Sequence, residues 1–433
     1  MKIAIITSGF LPVVDGVTVS GFERLRWLSR WGHQVRLFCP DYRELEAMYP
    51  DWRDYTGEIL PGVRVVNLPS TPFLGLDFER NVSRAAHGEL TRELQAFGPD
   101  VIHVDEPERL AFGFLRVPGV DWARRQGIPC VGFFRTNFLD YADDYLPLPP
   151  FAIASVQWVA GKFLRYIYNS YDVTLTTSQV ADRNLVQLGV RNLYRPRVEL
   201  VGIDTEVFNP NRRTAGFFEQ QYGLPDLDGK VKLIFLGRLT PDKGWEFALD
   251  SFSRVFEEVD RDRVAILVAG DGPLRDTIAT RLGQLTPHAH LLGRVPPERV
   301  PALLANSDLH VTASEKETRG LTVLEAFAAG IPVLAPRAGG VTENIQDGWN
   351  GLFFTPRNTG EFVQKLKLLI EDGERRREMG VNGRRSMERY SWERAVGNLV
   401  RVWERQCQGD RGATNFTRKR EVKSSYYENS TGV

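Results

Sequence analysis

The sequence predicts an α/β protein built from two doubly wound, Rossmann-like domains that face a central cleft. Three observations predict it. The chain has 433 residues, more than one ordinary hydrophobic core organises. Short apolar runs alternate with stretches of helical periodicity, the signature of parallel sheets with crossover helices. That alternation runs through the first half, breaks at a charged, turn-rich stretch, and begins again.

In the first half the expected strands are KIAIITSG (2–9), QVRLFCP (34–40), DVIHVDE (100–106), PCVGFFR (129–135) and VTLTTS (173–178). Between the first two, Phe22, Leu25, Leu28 and Trp31 recur at helical spacing, with Gly32 as the stop. The pattern restarts with VKLIFLGRL (231–239), AILVAGDG (265–272), HLLGRV (290–295), LHVTAS (309–314), IPVLAPRAGG (331–340) and GLFF (351–354). This divides the chain into a first domain (1–208), a linker (209–230) rich in turn residues and charge, and a second domain (231–390). A helix over 391–407 carries the stripe Trp392, Val396, Leu399, Val400 and Trp403, expected to pack back on the first domain. The tail 408–433 loses periodicity and is expected to be disordered; its TRKRE cluster reads as solvated tail or a short binding segment.

Composition narrows the class. Apolar content of 42% and charged content of 25% are those of a soluble globular protein. Lys+Arg and Asp+Glu both total 55, so no global field recruits nucleic acid or an anionic membrane. Three distant cysteines, Cys39, Cys130 and Cys407, argue against a disulfide framework and for a reducing cytosol. The start, MKIAIITSGFLP, reads as a first strand rather than a signal peptide, and no run reaches the ~18 apolar residues of a membrane span.

Ligands in doubly wound sheets sit at the carboxyl ends of the strands. The unusual residues fall there. GRLTPDKG (237–244) follows the first strand of the second domain, and Arg238 and Lys243 either converge on an anion such as a diphosphate or are two solvated cations beside a Pro-Asp turn. EKETRGLTVLEAFAAG (315–330) puts Glu317 on a loop facing the cleft and Glu325 about one turn into a helix that starts near Leu321. Free amides at Leu321 and Thr322, just after Gly320, suit a phosphate. Taken alone, Glu325 has the plainer explanation of a carboxylate near a helix dipole.

Taken together, these segments are more specific. With DGV (15–17), GID (202–204), AGDGP (269–273), LGRV (292–295) and DGWNG (347–351), over residues 1–405, the sequence resembles the retaining nucleotide-sugar glycosyltransferases of family 4, which have the GT-B fold. The resemblance implies a hexosyltransferase in which Arg238 and Lys243 grip the donor diphosphate and Gly16 lies against the phosphates. It implies Glu325 on the ribose hydroxyls and Glu317 at the transferred sugar. AGDGP, with Gly270, and LGRV, with Arg294 and Val295, would line the nucleobase pocket. Glu317, Arg238 and Lys243 are the candidate catalytic residues. Fixed positive charge at the leaving diphosphate removes the need for a metal, and none is expected as cofactor; DRD (260–262) and DLD (226–228) read as surface turns. Same-face attack, with the leaving phosphate taking the acceptor proton, needs no glycosidase-like carboxylate pair.

Two positions depart from the family. Arg135, in GFFRTNF (132–138), stands where relatives commonly have histidine near the donor sugar. It either meets an acidic group of donor or acceptor or pairs with Asp140 or Asp143, and Asn137 is a further candidate contact. His103 either replaces the missing histidine at the sugar or is a structural strand residue. Arg319, where phenylalanine is usual, either adds a cation beside the sugar or points to solvent.

The acceptor is expected on the first domain. The helix around Arg24, Arg26, Trp27, Arg30 and Trp31, and VQWVAGKFLRYIYNSYD (156–172), mix aromatic and basic residues as bilayer-surface helices do; the former also reads as an ordinary crossover helix. The narrower resemblance is to the branch that glycosylates membrane lipids, including sulfoquinovosyl diacylglycerol synthase-like and mannosyltransferase-like enzymes. The expectation is a cytoplasmic enzyme, peripheral on the inner face of the membrane. It would move a hexose from a UDP-sugar to a glycolipid or diacylglycerol hydroxyl. GDP-mannose as donor and a non-catalytic nucleotide-sugar binder are the alternatives.

Overall fold

The computed structural model describes residues 1–73, 76–135, 149–194 and 198–409. Asn137, Asp140, Asp143 and the TRKRE tail lie outside the described residues.

The first domain has strands β1 (Lys2–Ile6), β2 (Gln34–Pro40), β3 (Gly57–Leu60), β4 (Val63–Leu68), β5 (Ser70–Phe73), β6 (Leu76–Val82), β7 (Val101–Asp105), β8 (Cys130–Phe134) and β9 (Val173–Thr176). Seven of them form one sheet in the order β3-β4-β2-β1-β7-β8-β9, parallel except where β3 meets β4; β5 and β6 make a separate hairpin. Helices α1 (Gly16–Arg30), α2 (Ala86–Phe97), α3 (Pro107–Phe114), α4 (Val120–Gln126), α5 (Pro150–Tyr168) and α6 (Gln179–Leu188) pack around it. The central strands are buried on both faces, which is why they read as unbroken apolar runs. α1 starts where it does because of a capping box. The Asp15 carboxylate accepts from the Val17 and Thr18 amides at 2.8 Å, and the Thr18 hydroxyl accepts from the Asp15 amide at 2.9 Å.

After α7 (Phe217–Tyr222) comes an all-parallel six-stranded sheet of β10 (Val231–Leu236), β11 (Val264–Ala269), β12 (Ala289–Gly293), β13 (Leu309–Val311), β14 (Val333–Pro336) and β15 (Gly351–Phe354), in the order β12-β11-β10-β13-β14-β15. Its helices are α8 (Trp245–Glu258), α9 (Arg275–Leu285), α10 (Val300–Ala305), α11 (Leu321–Ala328), α12 (Thr359–Glu371) and α13 (Gly373–Ser386). The last helix, α14 (Trp392–Cys407), buries Trp392, Val396, Leu399, Val400 and Trp403 and lies against α1 of the first domain. Where the chain crosses between the sheets, a side chain on Gly202 would overlap the Trp392 backbone, and the Ile203 amide donates to the Tyr390 carbonyl at 3.4 Å.

Two features go beyond the sequence expectation. β3 and β4 form an antiparallel edge with little sequence signal, because Glu58 and Arg64 interrupt these short apolar runs. The stretch 209–230, the expected linker, is exposed over most of its length yet is held to the second domain. It buries Phe218 and Leu227, and it is pinned to the second sheet by the Thr214 amide donating to Asn306 (2.8 Å) and by Arg213 pairing with Asp308.

Candidate functional site

The carboxyl ends of β10, β11 and β12 interlock through their backbones. The Gly237 amide donates to the Ala269 carbonyl (3.0 Å), Leu239 to Asp271 (2.9 Å) and Gly270 to Gly293 (2.8 Å). Gly270, at φ 148°, has no room for a Cβ, which would overlap the Gly237 carbonyl oxygen. This close approach is what GRLTPDKG and AGDGP encode.

Lys243 ends the short turn of GRLTPDKG. Its ammonium lies 2.7 Å from Glu317 Oε1 and 3.6 Å from Asp242 Oδ2, and Arg238 approaches the same Asp242 oxygen at 3.9 Å. The Asp242 side chain is fully buried and gathers the two cations, of which Arg238 is half-exposed. Burial works against the Lys243 charge, but the Glu317 and Asp242 carboxylates more than offset it, and its pKa is raised. Burial likewise raises the Glu317 carboxyl, yet the Lys243 charge and hydrogen bonds from Lys243 and Ser314 hold it below the usual range. Both groups are therefore charged at neutral pH.

Gly320, at φ 72°, begins α11, whose first turn carries no acidic residue and no side-chain cap. The glycine-rich turn after β14 presses onto the preceding loop. The Gly340 amide donates to the Glu317 carbonyl at 2.6 Å, and a Cβ on Gly340 would overlap the Thr318 carbonyl. Beneath α11, buried His310 accepts on one ring nitrogen from the Thr322 hydroxyl (3.2 Å) and donates from the other to the Ile234 carbonyl (3.1 Å). Burial pushes its pKa down to about 4, so the ring is neutral and holds Thr322 in place. Half-buried Glu325, one turn into α11, has no hydrogen-bond or ion-pair partner among the described residues, and burial pushes its carboxyl up to about 8.

The first domain meets this site at Gly16, where a Cβ would stand 2.9 Å from Leu321 Cδ1. The N-termini of α1 and α11 thus face each other across the cleft. Arg135, at the end of β8, donates to the Gly16 carbonyl (3.2 Å) and the Ser20 hydroxyl and lies 3.7 Å from Asp105. It is tied to the turn that carries Gly16; the expected pairing with Asp140 or Asp143 lies outside the described residues. Asp105 also holds Arg24 at 3.0 Å and His103 at 3.3 Å. Burial opposes the Asp105 charge, but Arg24, His103 and Arg135 around it keep its carboxyl far below the ordinary range.

The structure answers three questions that the sequence leaves open. His103 has no surface for a sugar: it is fully buried between Phe133 and Trp403, accepts from the Trp403 indole at 3.3 Å, and is kept neutral by burial, its pKa near 4. Arg319 points neither to the sugar side nor to solvent. It pairs with Glu199 (2.9 Å) and Glu343 (3.8 Å) over the Tyr390 ring. α1 packs as an ordinary crossover helix, with Arg24 turned inward to Asp105, Arg30 over the Trp27 ring and α14 against it. Arg294 packs over the Tyr49 ring of the first domain at 4.9 Å, with Val295 half-buried beside it. DRD and DLD are turns, Asp260 capping residues 261–263 and Asp228 accepting from the Gly216 amide. Sequence reasoning missed Asp242, His310 and Asp105; the aspartate inside PDK, read only as a turn residue, was the one available signal.

Residues 16–202 match the model described as glycosyl transferase 4-like domain, and residues 219–386 match glycosyl transferases group 1. The sulfoquinovosyl transferase SQD2 of Arabidopsis thaliana is 29% identical, covering 88% of this chain and 70% of its own. A GDP-mannose-dependent alpha-mannosyltransferase of Mycobacterium tuberculosis is 29% identical over 93% and 96%. An alpha-monoglucosyldiacylglycerol synthase of Streptococcus pneumoniae is 26% identical over 77% and 71%. Among solved structures, HepE of Anabaena with UDP and glucose superposes with TM-score 0.67 at 18% identity, over 93% and 99% of the two chains. A sucrose-phosphate synthase of Thermosynechococcus elongatus gives 0.73 at 16%, over 94% and 99%. The chain belongs to the family 4 glycosyltransferases with the GT-B fold, a class that works on nucleotide-sugar donors.

Proposed function

We propose that the protein is a retaining hexosyltransferase that moves a hexose from a UDP-sugar to a hydroxyl of a membrane glycolipid or diacylglycerol. The observation that carries the donor site is the partnerless Glu325 carboxylate, one helical turn from the uncapped start of α11 and across from Gly16. A carboxylate without a partner suits the two ribose hydroxyls. The Leu321 and Thr322 amides with Arg238 and Lys243 suit the diphosphate. Gly270, Arg294 and Val295 then line the base, and Glu317, oriented by Lys243, faces the sugar.

The chemistry follows from charge. Departure of the nucleoside diphosphate builds negative charge at Arg238, Lys243 and the α11 amides and positive charge on the sugar beside Glu317. The leaving phosphate takes the acceptor proton on the same face, so no metal and no second carboxylate is required. The acceptor enters along the first domain (1–208), while the donor rests on the second (231–390). The diacylglycerol-linked relative supports a lipid acceptor, and the UDP-bound neighbour supports UDP. GDP-mannose is the second reading, favoured by the mannosyltransferase relative. No helix among the described residues is long and apolar enough to cross a membrane, so work at the inner face is proposed as peripheral.

Thermal melts with UDP-glucose, UDP-galactose and GDP-mannose test the donor, since a ligand bound only by the folded state raises stability by mass action. A rise with a UDP-sugar that Glu325→Ala abolishes is expected. No response to either nucleotide class would sink the donor-site assignment.

A further inference from the structure

Six of the twelve large apolar side chains exposed among the described residues lie on one face of the first domain, on α3, its cap and α5. They are Phe112, Leu115, Val156, Trp158, Val159 and Tyr166, and five of them are at least 60% exposed on aromatic or aliphatic surface that water solvates poorly: Leu115 68%, Trp158 66%, Tyr166 66%, Phe112 60% and Val159 60%. The two helices are one surface, because the Phe112 and Phe163 rings sit 5.1 Å apart over a groove between α3, α4 and α5. Leu115 adds a second sign. It closes α3 in the left-handed region, at φ 54°, where glycine or asparagine is the ordinary choice, and yet its side chain is turned to solvent.

The charge on this face is one-sided. Over its 19 residues α5 has no aspartate or glutamate, only Lys162 and Arg165. Arg116 and Arg124 line the groove, and Asp121 is the single acid lining it. Among the described residues none of these four cations has a carboxylate partner, and Lys162 lies 5.3 Å over the Trp158 ring, an aromatic body with a cationic tip. In a chain with equal numbers of acidic and basic residues this is a local excess, not a reflection of composition.

Position completes the argument. α3 leaves the carboxyl edge of β7, and α5 returns from the carboxyl edge of β8 to β9. The apolar face therefore starts at the rim of the cleft and runs down the flank of the acceptor domain. We propose that the α3–α5 face docks on an anionic bilayer surface, with Trp158, Val159, Phe112 and Leu115 in the acyl boundary and Lys162, Arg165 and Arg116 at the headgroups. This rests on the lipid-acceptor reading and adds the face by which the cleft is brought to the lipid hydroxyl.

The test is flotation of the full chain with phosphatidylcholine vesicles, with and without about 30 mol % phosphatidylglycerol. Wild-type protein is expected to float with the anionic vesicles and to be released by salt. Trp158→Ser with Val159→Ser is expected to lower the bound fraction about tenfold, and Lys162→Gln with Arg165→Gln to remove the preference for anionic lipid. Both variants should keep the wild-type melting temperature and its shift with nucleotide sugar, because the replaced side chains are exposed and far from the donor loops. Equal flotation of the Trp158/Val159 variant overturns the proposal, as does wild-type protein that stays with the soluble fraction. A wild-type dimer in solution that the same variant converts to monomer also overturns it, assigning the face to a second copy. In each of these cases an intact nucleotide-sugar response leaves the glycosyltransferase reading standing.

Discussion

The Arg319 guanidinium donates to the Glu199 carboxylate at 2.9 Å, tying the loop between Glu317 and Gly320 to the chain segment that leads out of the first domain. The tie is doubled. Glu343, 3.8 Å from the same guanidinium, also accepts from the Val180 amide at the start of α6, and the Glu199 carbonyl accepts from Asn398 of α14. Arg319 and Glu343 thus fasten the donor side of the second domain to the first domain.

Loss of that side chain is expected to cost stability in a pH-dependent way. Burial already pushes the Glu199 carboxyl up, with Arg319 as the main opposing charge. Arg319→Met leaves it without that charge, so it is expected to lower stability by about 2 kcal/mol at pH 8 and by less at pH 5, where Glu199 can take a proton. Chemical denaturation in a double-mutant cycle with Glu199→Gln checks this. An equal cost of Arg319→Met in both backgrounds would show that the pair carries no coupling.

Glu325 gives the clearest pH signature. Its folded carboxyl is raised from 4.5 to about 8 by burial, so the folded state holds a proton that the unfolded state releases. Its contribution to stability is therefore fully present below pH 4.5 and is lost as pH rises through about 8. Ribose hydroxyls donate to the carboxylate form, so donor affinity should rise between pH 6 and 8 and then level. Glu325→Gln should flatten both slopes and weaken binding about tenfold or more. Calorimetric titration with UDP across this range reads the result, and a slope kept by Glu325→Gln would falsify the assignment.

The Lys243–Glu317 pair separates binding from turnover. Lys243→Ala removes a phosphate charge and leaves Glu317 beside Asp242 without its cation, so donor affinity should fall. Glu317→Gln keeps the shape of the loop and removes a charge needed as the sugar becomes cationic. Turnover is expected to drop about a hundredfold with little change in UDP affinity. Initial rates alongside UDP titrations would show the split, and equal losses in both quantities would contradict the proposed role for Glu317.

What was legible in the sequence follows from how each feature is encoded. The sheets could be read because parallel strands buried on both faces are written as continuous apolar runs, and α11 because glycine and small residues flank it. The roles of Arg135 and Arg319 could not be read. Their partners, Asp105 and Glu199, are remote in sequence and reach them only through the sheet order and the interdomain crossing. His310 escaped for the same reason: a lone strand histidine acquires meaning only once β10 and α11 lie on either side of it. The burial of Phe218 and Leu227 was hidden by the charged residues around them.

Two glycines at the cleft distinguish a fold requirement from a ligand requirement. At Gly340 an added Cβ overlaps the Thr318 backbone carbonyl, which cannot yield without moving the Glu317 loop. Gly340→Ala is therefore expected to cost about 3 kcal/mol and to damage donor binding along with stability. At Gly16 the Cβ meets only the end of the Leu321 side chain, at 2.9 Å, and that side chain can turn aside. Alanine also suits a first helical turn. Gly16→Ala should then leave stability within about 1 kcal/mol of wild type while UDP affinity falls about tenfold, because the methyl group occupies space the phosphates need. Melting curves with and without UDP measure both quantities in one experiment. If Gly16→Ala melts and responds to UDP as the wild type does, the phosphates do not pass Gly16, and the donor must lie wholly on the second domain.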